Sequence, residues 1–131
     1  TRSNVWWFKE MLPHEQLTAM LTAADLFICP SIYEPLGIVN LEAMACETAV
    51  LGSRVGGIPE VVADKETGEL VDYNGEAGSF EKALTESISR LMAQPQLLQQ
   101  YGNAGRIRAQ KLFGWDAVAA LTADLYRRVL A

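Results

Sequence analysis

Residues 26–42, LFICPSIYEPLGIVNLE, contain the change from strand to helix on which the fold prediction depends. The apolar run at residues 26–29 does not alternate with polar residues, which is typical of a strand buried on both faces, and Pro30 ends it. Gly37 stands where a helix can begin, and apolar residues follow it at helical spacing. The stretch therefore predicts one strand–loop–helix unit of a parallel sheet.

The same alternation of short apolar runs and helical stripes continues on both sides of this unit. It predicts strands at residues 5–8, 26–29, 49–51 and 69–71, and helices that begin at Pro13, Gly37 and the Gly56-Gly57 pair. Helical spacing then continues to the C-terminus, with breaks at Pro95 and Gly114. The predicted fold class is α/β, with residues 1–131 as one domain: a Rossmann-like parallel sheet with helices on both faces and a helical C-terminal tail.

Composition and charge exclude several classes of function. The formal net charge is −5, which disfavours a nucleic-acid surface because phosphate binding needs a basic patch. No apolar run approaches the roughly 18 residues of a membrane span. The two cysteines, Cys29 and Cys46, form no CxxC pair and are expected as buried free thiols in a reducing cytoplasm. Because the first residue is Thr1, we expect the chain to be part of a longer protein.

The loop and helix after residues 26–29 carry the candidate site, because ligands of open parallel sheets bind beyond the carboxyl ends of the strands. The N–H groups of Gly37, Ile38 and Val39 and the positive end of the helix dipole suit a phosphate. Glu34 and Glu42 flank this position. They could accept hydrogen bonds from hydroxyls on either side of a diphosphate, as in a nucleotide-sugar. Alternatively, Glu34 is a surface loop residue and Glu42 stabilises the helix start, and the residues alone leave both readings open.

A longer stretch around this site resembles a known family. Residues 30–62, PSIYEPLGIVNLEAMACETAVLGSRVGGIPEVV, are similar to the family-4 retaining glycosyltransferases of the GT-B fold. The likeness includes the E-x7-E motif from Glu34 to Glu42 and the Gly-Gly-Ile-Pro-Glu run at residues 56–60. Residues 34–50, EPLGIVNLEAMACETAV, look most like glycogen synthases of the actinobacterial type. The resemblance implies the C-terminal, donor-binding half of a GT-B enzyme, without its first strands and without its acceptor domain.

The resemblance also implies roles for individual residues. Glu34 would be catalytic and bind hydroxyls of the donor sugar, and Glu42 would bind the ribose of the nucleotide. The remaining substrate-binding residues would be the backbone of Gly37, Ile38 and Val39, holding the diphosphate, and Ser31 and Tyr33, lining the pocket. The turn at Gly56 and Gly57 would let the neighbouring loop lie close to the donor. Arg54 lies in the wrong segment to be the family's phosphate-binding arginine, and Trp115-Asp116 resembles the junction where the last helix crosses to the other domain.

The activity implied by the resemblance is transfer of glucose from ADP- or UDP-glucose to an α-glucan, with the acceptor held by the N-terminal domain. The alternatives are a lipid or small-molecule acceptor, or a non-catalytic module that binds a nucleotide-sugar. This chain alone is expected to be inactive, because the family's phosphate-binding Arg and Lys come from an earlier segment. No cofactor and no metal are expected, since there is no Asp-x-Asp and His14 has no Cys or His partners. Nucleic-acid and membrane partners are not expected.

Overall fold

The computed structural model describes residues 4–131, which form a three-stranded parallel sheet flanked by helices. Its elements follow one another as α1 (His14–Ala23), β1 (Leu26–Cys29), α2 (Ile38–Ala45), β2 (Ala49–Ser53), α3 (Ile58–Val61), β3 (Gly68–Val71), α4 (Ala77–Met92), α5 (Pro95–Phe113) and α6 (Trp115–Leu130). The strands lie in the order β1-β2-β3, and Leu26 pairs with Ala49 at one end of the first ladder. All carboxyl ends of the strands therefore point the same way.

Helices cover both faces of the sheet because successive side chains of a strand point to opposite sides. Val50 of β2 packs in a core with α1, α2 and α3, whereas Ala49 and Leu51 pack in a second core with α4 and the first half of α5. The two crossovers run in the same direction across the sheet, and such connections are right-handed, so α2 and α3 lie on one face. This arrangement confirms the predicted α/β fold class with a Rossmann-like parallel sheet.

The predicted strand at residues 5–8 is wrong. These residues adopt no strand, and Trp6 and Trp7 are 76% and 81% exposed. A strand is stable only when a neighbour pairs with its backbone N–H and C=O groups, and none of the described strands pairs with this segment. The apolar composition alone was therefore a poor indicator of strand here.

Two other sequence expectations differ from the structure in detail. Strand β2 continues through Gly52 and Ser53, two residues beyond the predicted end at Leu51. Helix α1 begins after Pro13, which is its N-cap, and ends before Ala24. Proline fixes the entry into the first turn without itself being helical. The two cysteines are free thiols, as expected, although Cys46 is only partly buried.

Helix α5 closes the end of the sheet opposite to the carboxyl ends of the strands. A side chain on Gly102 would overlap the carbonyl oxygen of Glu47, which precedes β2. A side chain on Gly105 would lie 3.2 Å from Cγ of Met44. The helix can approach the α2–β2 connection this closely because both of these positions lack a Cβ.

This contact predicts a large effect of a single methyl group. Gly102→Ala should lower the free energy of unfolding by roughly 1–3 kcal/mol, because the added Cβ forces α5 away from Glu47. Gly78→Ala, on α4 with no atom within 4 Å of its would-be Cβ, is the matched control and should stabilise by about 0.5–1 kcal/mol. Urea unfolding monitored by circular dichroism measures both. Equal stability of the two variants would show that α5 does not depend on this approach.

A buried carboxylate joins β3 to α4. Glu69 is 2% exposed, and Nη1 of Arg90 donates to its Oε1 at 2.8 Å while Nζ of Lys65 lies 2.5 Å from its Oε2. Burial by itself would raise the pKa of Glu69, but the hydrogen bonds from Arg90 and Lys65 outweigh it and hold that pKa below its usual range. Both cations therefore stabilise the ionised carboxylate more in the folded than in the unfolded protein.

Stability should consequently depend on pH through Glu69. A lowered folded-state pKa contributes stability that is complete above the unfolded pKa of about 4.3 and is lost as the pH falls below it. Glu69→Gln should therefore be less stable than the wild type at pH 7, and the difference should shrink between about pH 5 and pH 3. Urea unfolding of both proteins across this range measures it. A stability difference independent of pH would show that the ionised form of Glu69 contributes nothing.

Candidate functional site

Two loops meet at the carboxyl ends of β1 and β2. The N–H of Gly57, in the loop after β2, donates to the carbonyl oxygen of Glu34, in the loop after β1, at 3.0 Å. A side chain on Gly56 would overlap that same carbonyl oxygen, and one on Gly57 would overlap the carbonyl oxygen of Pro35. The glycine pair thus lets the two loops touch through their backbones. The Gly-Gly turn supports the Glu34 loop directly.

Gly37 is the N-cap of helix α2 and adopts a left-handed conformation with a φ of 85°. The N–H of Asn40 donates to the carbonyl oxygen of Gly37 at 2.9 Å. The first N–H groups of a helix, here those of Ile38 and Val39, have no acceptor within the helix. Together with the helix dipole they present donors and partial positive charge to an anion. Glycine is required at position 37 because φ is positive and because a Cβ there would overlap Nδ2 of Asn40.

The side chains of the loop before α2 differ in how available they are. Glu34 is half-buried, and its Cγ lies 3.3 Å from the position that a Cβ of Gly37 would occupy. Tyr33 is 80% exposed. Ser31 is half-buried: its carbonyl oxygen accepts a hydrogen bond from Oγ of Ser53, and its own Oγ lies 3.5 Å from Sγ of Cys29. The loop thus fixes Ser31 to the edge of the sheet and leaves Tyr33 in solvent.

Glu42 lies one turn farther along α2, in a different environment. It is half-buried and borders two grooves. One, of about 240 Å³, lies between α1 and α2 and includes Leu17 and Cys46. The other, of about 410 Å³, lies between α2 and the α5–α6 junction and includes Trp115. Glu34 therefore borders the helix start, and Glu42 borders the grooves beside α1 and α6.

Arg54 follows β2 at the same end of the sheet, but its guanidinium is engaged by two carboxylates. Nε donates to Oδ1 of Asp72 at 2.7 Å, and Nη2 donates to Oδ2 of Asp64 at 2.6 Å. Burial would raise the pKa of Asp64, yet the hydrogen bonds from Arg54 and from the Leu70 N–H hold that pKa below its ordinary value. Arg54 thus links the β2–α3 loop to the two carboxylates on either side of β3, those of Asp64 and Asp72.

Sequence reasoning missed Asn40, which lies directly beside the helix start. Its side chain is fully buried, and neither Nδ2 nor Oδ1 has a hydrogen-bond partner among residues 4–131. Buried amides nearly always have partners. The available signal was one polar residue in the otherwise apolar run that follows Gly37. The sequence does not predict that this residue is buried, because its burial comes from packing against other elements.

Residues 4–131 contain no group of three or more His, Cys, Asp or Glu side chains placed to hold a metal ion. None of the helices in this range is long and apolar enough to cross a bilayer.

Comparison with known proteins identifies the family. The family described as "Glycosyl transferases group 1" matches residues 2–108. This chain belongs to the group 1 glycosyl transferases. The match contains both loops and the helix start described above, so the site lies within the family's characteristic region.

Individual relatives agree with this assignment. Alpha-maltose-1-phosphate synthase of Mycolicibacterium smegmatis is 51% identical over 131 residues, covering 99% of this chain and 34% of that protein. D-inositol 3-phosphate glycosyltransferase of Streptomyces bingchenggensis is 35% identical over 128 residues, covering 98% of this chain and 27% of that protein. Among solved structures, sucrose-phosphate synthase of Thermosynechococcus elongatus superposes with a TM-score of 0.78 at 40% identity, covering 91% of this chain and 29% of that one.

These comparisons confirm the broad prediction and leave its details open. The chain is part of a glycosyltransferase family, and its fold matches that of a GT-B C-terminal half. The glycogen-synthase type stays a prediction, because these three relatives are named for other products and acceptors. The chain spans about a third of the length of the relatives that it matches.

Proposed function

We propose that residues 1–131 are the donor-binding domain of a retaining glycosyltransferase that takes glucose from ADP- or UDP-glucose. The observation that carries this proposal is the start of α2, where the N–H groups that follow Gly37 have no acceptor within the helix, Glu34 lies beside Gly37 and Glu42 lies farther along the helix. A nucleotide-sugar has the matching layout of sugar, diphosphate and ribose. Glu34, beside Gly37, binds the sugar, and Glu42, beyond the first turn, binds the ribose.

The chemistry of this site is electrostatic. As the bond between the sugar and the diphosphate breaks, negative charge develops on the leaving diphosphate. The N–H groups of Gly37, Ile38 and Val39 and the helix dipole stabilise that charge without having to reorganise. Glu34 orients the sugar for attack by the acceptor. Tyr33 and Ser31 border the same loop, Tyr33 with its side chain and Ser31 through the conformation of its backbone. The reaction uses no metal or cofactor.

For the acceptor, we propose a small phosphorylated sugar or cyclitol ahead of an α-glucan. The names of the three relatives described above support this choice, since each includes a phosphorylated small molecule: maltose 1-phosphate, inositol 3-phosphate and sucrose phosphate. An α-glucan remains the second candidate, supported by the likeness of residues 34–50 to glycogen synthases. The acceptor would bind to an N-terminal domain outside this chain.

Radiolabelled transfer distinguishes these possibilities. The full-length protein is incubated with ADP-glucose or UDP-glucose, and with glucose 1-phosphate, inositol phosphate or glycogen in separate reactions. We expect release of the nucleoside diphosphate together with label in a small phosphorylated product. Label in glycogen alone would establish the glucan acceptor, and binding of the donor without transfer to any acceptor would indicate a non-catalytic module. The isolated chain of residues 1–131, assayed in parallel, should transfer no sugar.

A further inference from the structure

The amide of Asn40 is the polar group in the described chain whose burial has no local explanation. Asn40 is fully buried, and both Nδ2 and Oδ1 lack hydrogen-bond partners among the described residues. An amide that loses its hydrogen bonds to water without replacing them destabilises the folded state. An apolar residue at this position would avoid this loss. Such a violation of a packing rule is expected where a residue serves function.

The position of this amide connects it to the candidate site. Side chains on a helix lean towards its N-terminus, so the Asn40 side chain lies back along the first turn of α2. A Cβ on Gly37 would overlap Nδ2 of Asn40, and it would lie 3.3 Å from Cγ of Glu34 and 3.4 Å from Cγ1 of Ile58. The Asn40 amide and the Glu34 side chain therefore border one small space next to the Cα of Gly37. Ile58 of α3 forms the apolar wall of that space.

Among the described residues, neither the Asn40 amide nor the Glu34 carboxylate makes a side-chain hydrogen bond. The described residues give Glu34 a backbone hydrogen bond from Gly57 and none to its carboxylate, and Asn40 Nδ2 has two unused N–H donors. An ionised carboxylate is an acceptor for several hydrogen bonds, and those from N–H groups to a charged oxygen are the strong ones. A rotation about the side-chain bonds of Glu34 is the movement needed to join the two.

We propose that Asn40 is a positioning residue for Glu34, an inference that rests on the proposed sugar-binding role of Glu34. When the donor is bound, Nδ2 of Asn40 donates to one oxygen of the Glu34 carboxylate. The other oxygen is then held in the orientation that accepts a hydrogen bond from a hydroxyl of the donor sugar. The absent side chain of Gly37 leaves the space through which the two groups meet.

The first test is Asn40→Leu in the full-length protein, which keeps the branching at Cγ and the number of non-hydrogen atoms and removes the donor. We expect kcat with ADP-glucose or UDP-glucose to fall by about 10- to 100-fold, because the sugar is misplaced. The Kd of the nucleoside diphosphate should stay within about two-fold, and thermal unfolding recorded alongside should show that the variant is folded at the assay temperature. Asn103→Leu, on the exposed surface of α5, is the matched control and should leave kcat unchanged.

A second variant and a double mutant distinguish a positioning role of Asn40 from a general disruption of the structure. Asn40→Asp keeps the shape but has no N–H to donate and repels Glu34 when ionised, so its loss of kcat should be at least as large as that of Asn40→Leu. The preference for nucleotide-sugar over nucleoside diphosphate, measured by calorimetry, should fall with Asn40→Leu. In a Glu34→Ala background, Asn40→Leu should change this preference by less than about two-fold, because the carboxylate that Asn40 positions is absent.

The outcomes that overturn this inference differ from those that overturn the proposed function. A full-length wild type that binds no nucleotide-sugar refutes the proposed function itself. Given an active wild type, wild-type kcat in Asn40→Leu or in Asn40→Asp refutes the role of Asn40. Equal loss of nucleoside-diphosphate affinity and of kcat, or full additivity with Glu34→Ala, would likewise show that Asn40 does not act through Glu34.

Discussion

Glu34→Gln in the full-length protein should lower turnover with the nucleotide-sugar by on the order of 100-fold while the Kd of the nucleoside diphosphate stays nearly constant. The substitution keeps the shape of the side chain and removes the negative charge of the carboxylate that accepts hydrogen bonds from the sugar hydroxyls. A misplacement of the reacting sugar by about 1 Å is enough for a loss of this size. Glu34 borders the helix start at Gly37, whereas Glu42 borders other grooves. The substitution of Glu34 should therefore leave binding of the ribose end of the donor unchanged.

Steady-state kinetics with the nucleotide-sugar and calorimetry with the nucleoside diphosphate measure the two effects separately. Glu86→Gln, an exposed residue of α4, is the matched control and should behave as the wild type. If nucleoside-diphosphate binding falls as much as turnover, Glu34 is not a sugar-specific contact. If neither changes, Glu34 is an ordinary surface residue of the loop.

Glu42→Ala should weaken the nucleoside diphosphate itself. A hydrogen bond to a charged group contributes roughly 1.5–3 kcal/mol, which corresponds to a loss of about 10- to 150-fold in affinity. The ribose hydroxyls belong to the diphosphate product as much as to the intact donor, so both ligands should lose affinity by the same factor. This equal loss distinguishes Glu42 from Glu34.

Titration calorimetry with ADP, UDP and the corresponding glucose donors measures this effect. Glu86→Ala serves as the control for the loss of one exposed acid from the surface. Thermal unfolding should be recorded for both variants, because Glu42 also borders the two grooves that include Trp115 and Leu17. Unchanged nucleoside-diphosphate affinity would show that Glu42 supports the packing of α2 and has no ligand.

The elements with strong local signals were predicted well, and the structure shows why. The apolar run at β1 lies in the sheet, and Gly37 begins α2, as expected from the order of apolar residues and the glycine between them. Proline and glycine at positions 95 and 114 separate the C-terminal helices as expected. The failure at residues 5–8 has a physical reason: apolar content is local, but a strand requires a partner that local sequence does not specify.

The candidate site shows the same division. The sequence indicated Glu34, Gly37 and Glu42, because motif and helix start are both local features. The resemblance implied that the Gly56-Gly57 turn belongs to the donor site, but the sequence did not show that this turn contacts the loop at Glu34, that Arg54 is held by Asp64 and Asp72, or that Asn40 is buried beside Gly37. Each of these depends on where a separate element packs.

The sequence by itself determined the alternation of strands and helices and the position of the helix start that presents N–H groups to an anion. These follow from periodicity, glycine and proline, whose effects act over a few residues. Only the tertiary structure decided which loops meet at the carboxyl ends of the strands and which polar groups become buried there. The contact between the two loops joins Glu34 and Gly57, which lie more than twenty positions apart, and it arises because β1 and β2 pair and α3 packs on α2.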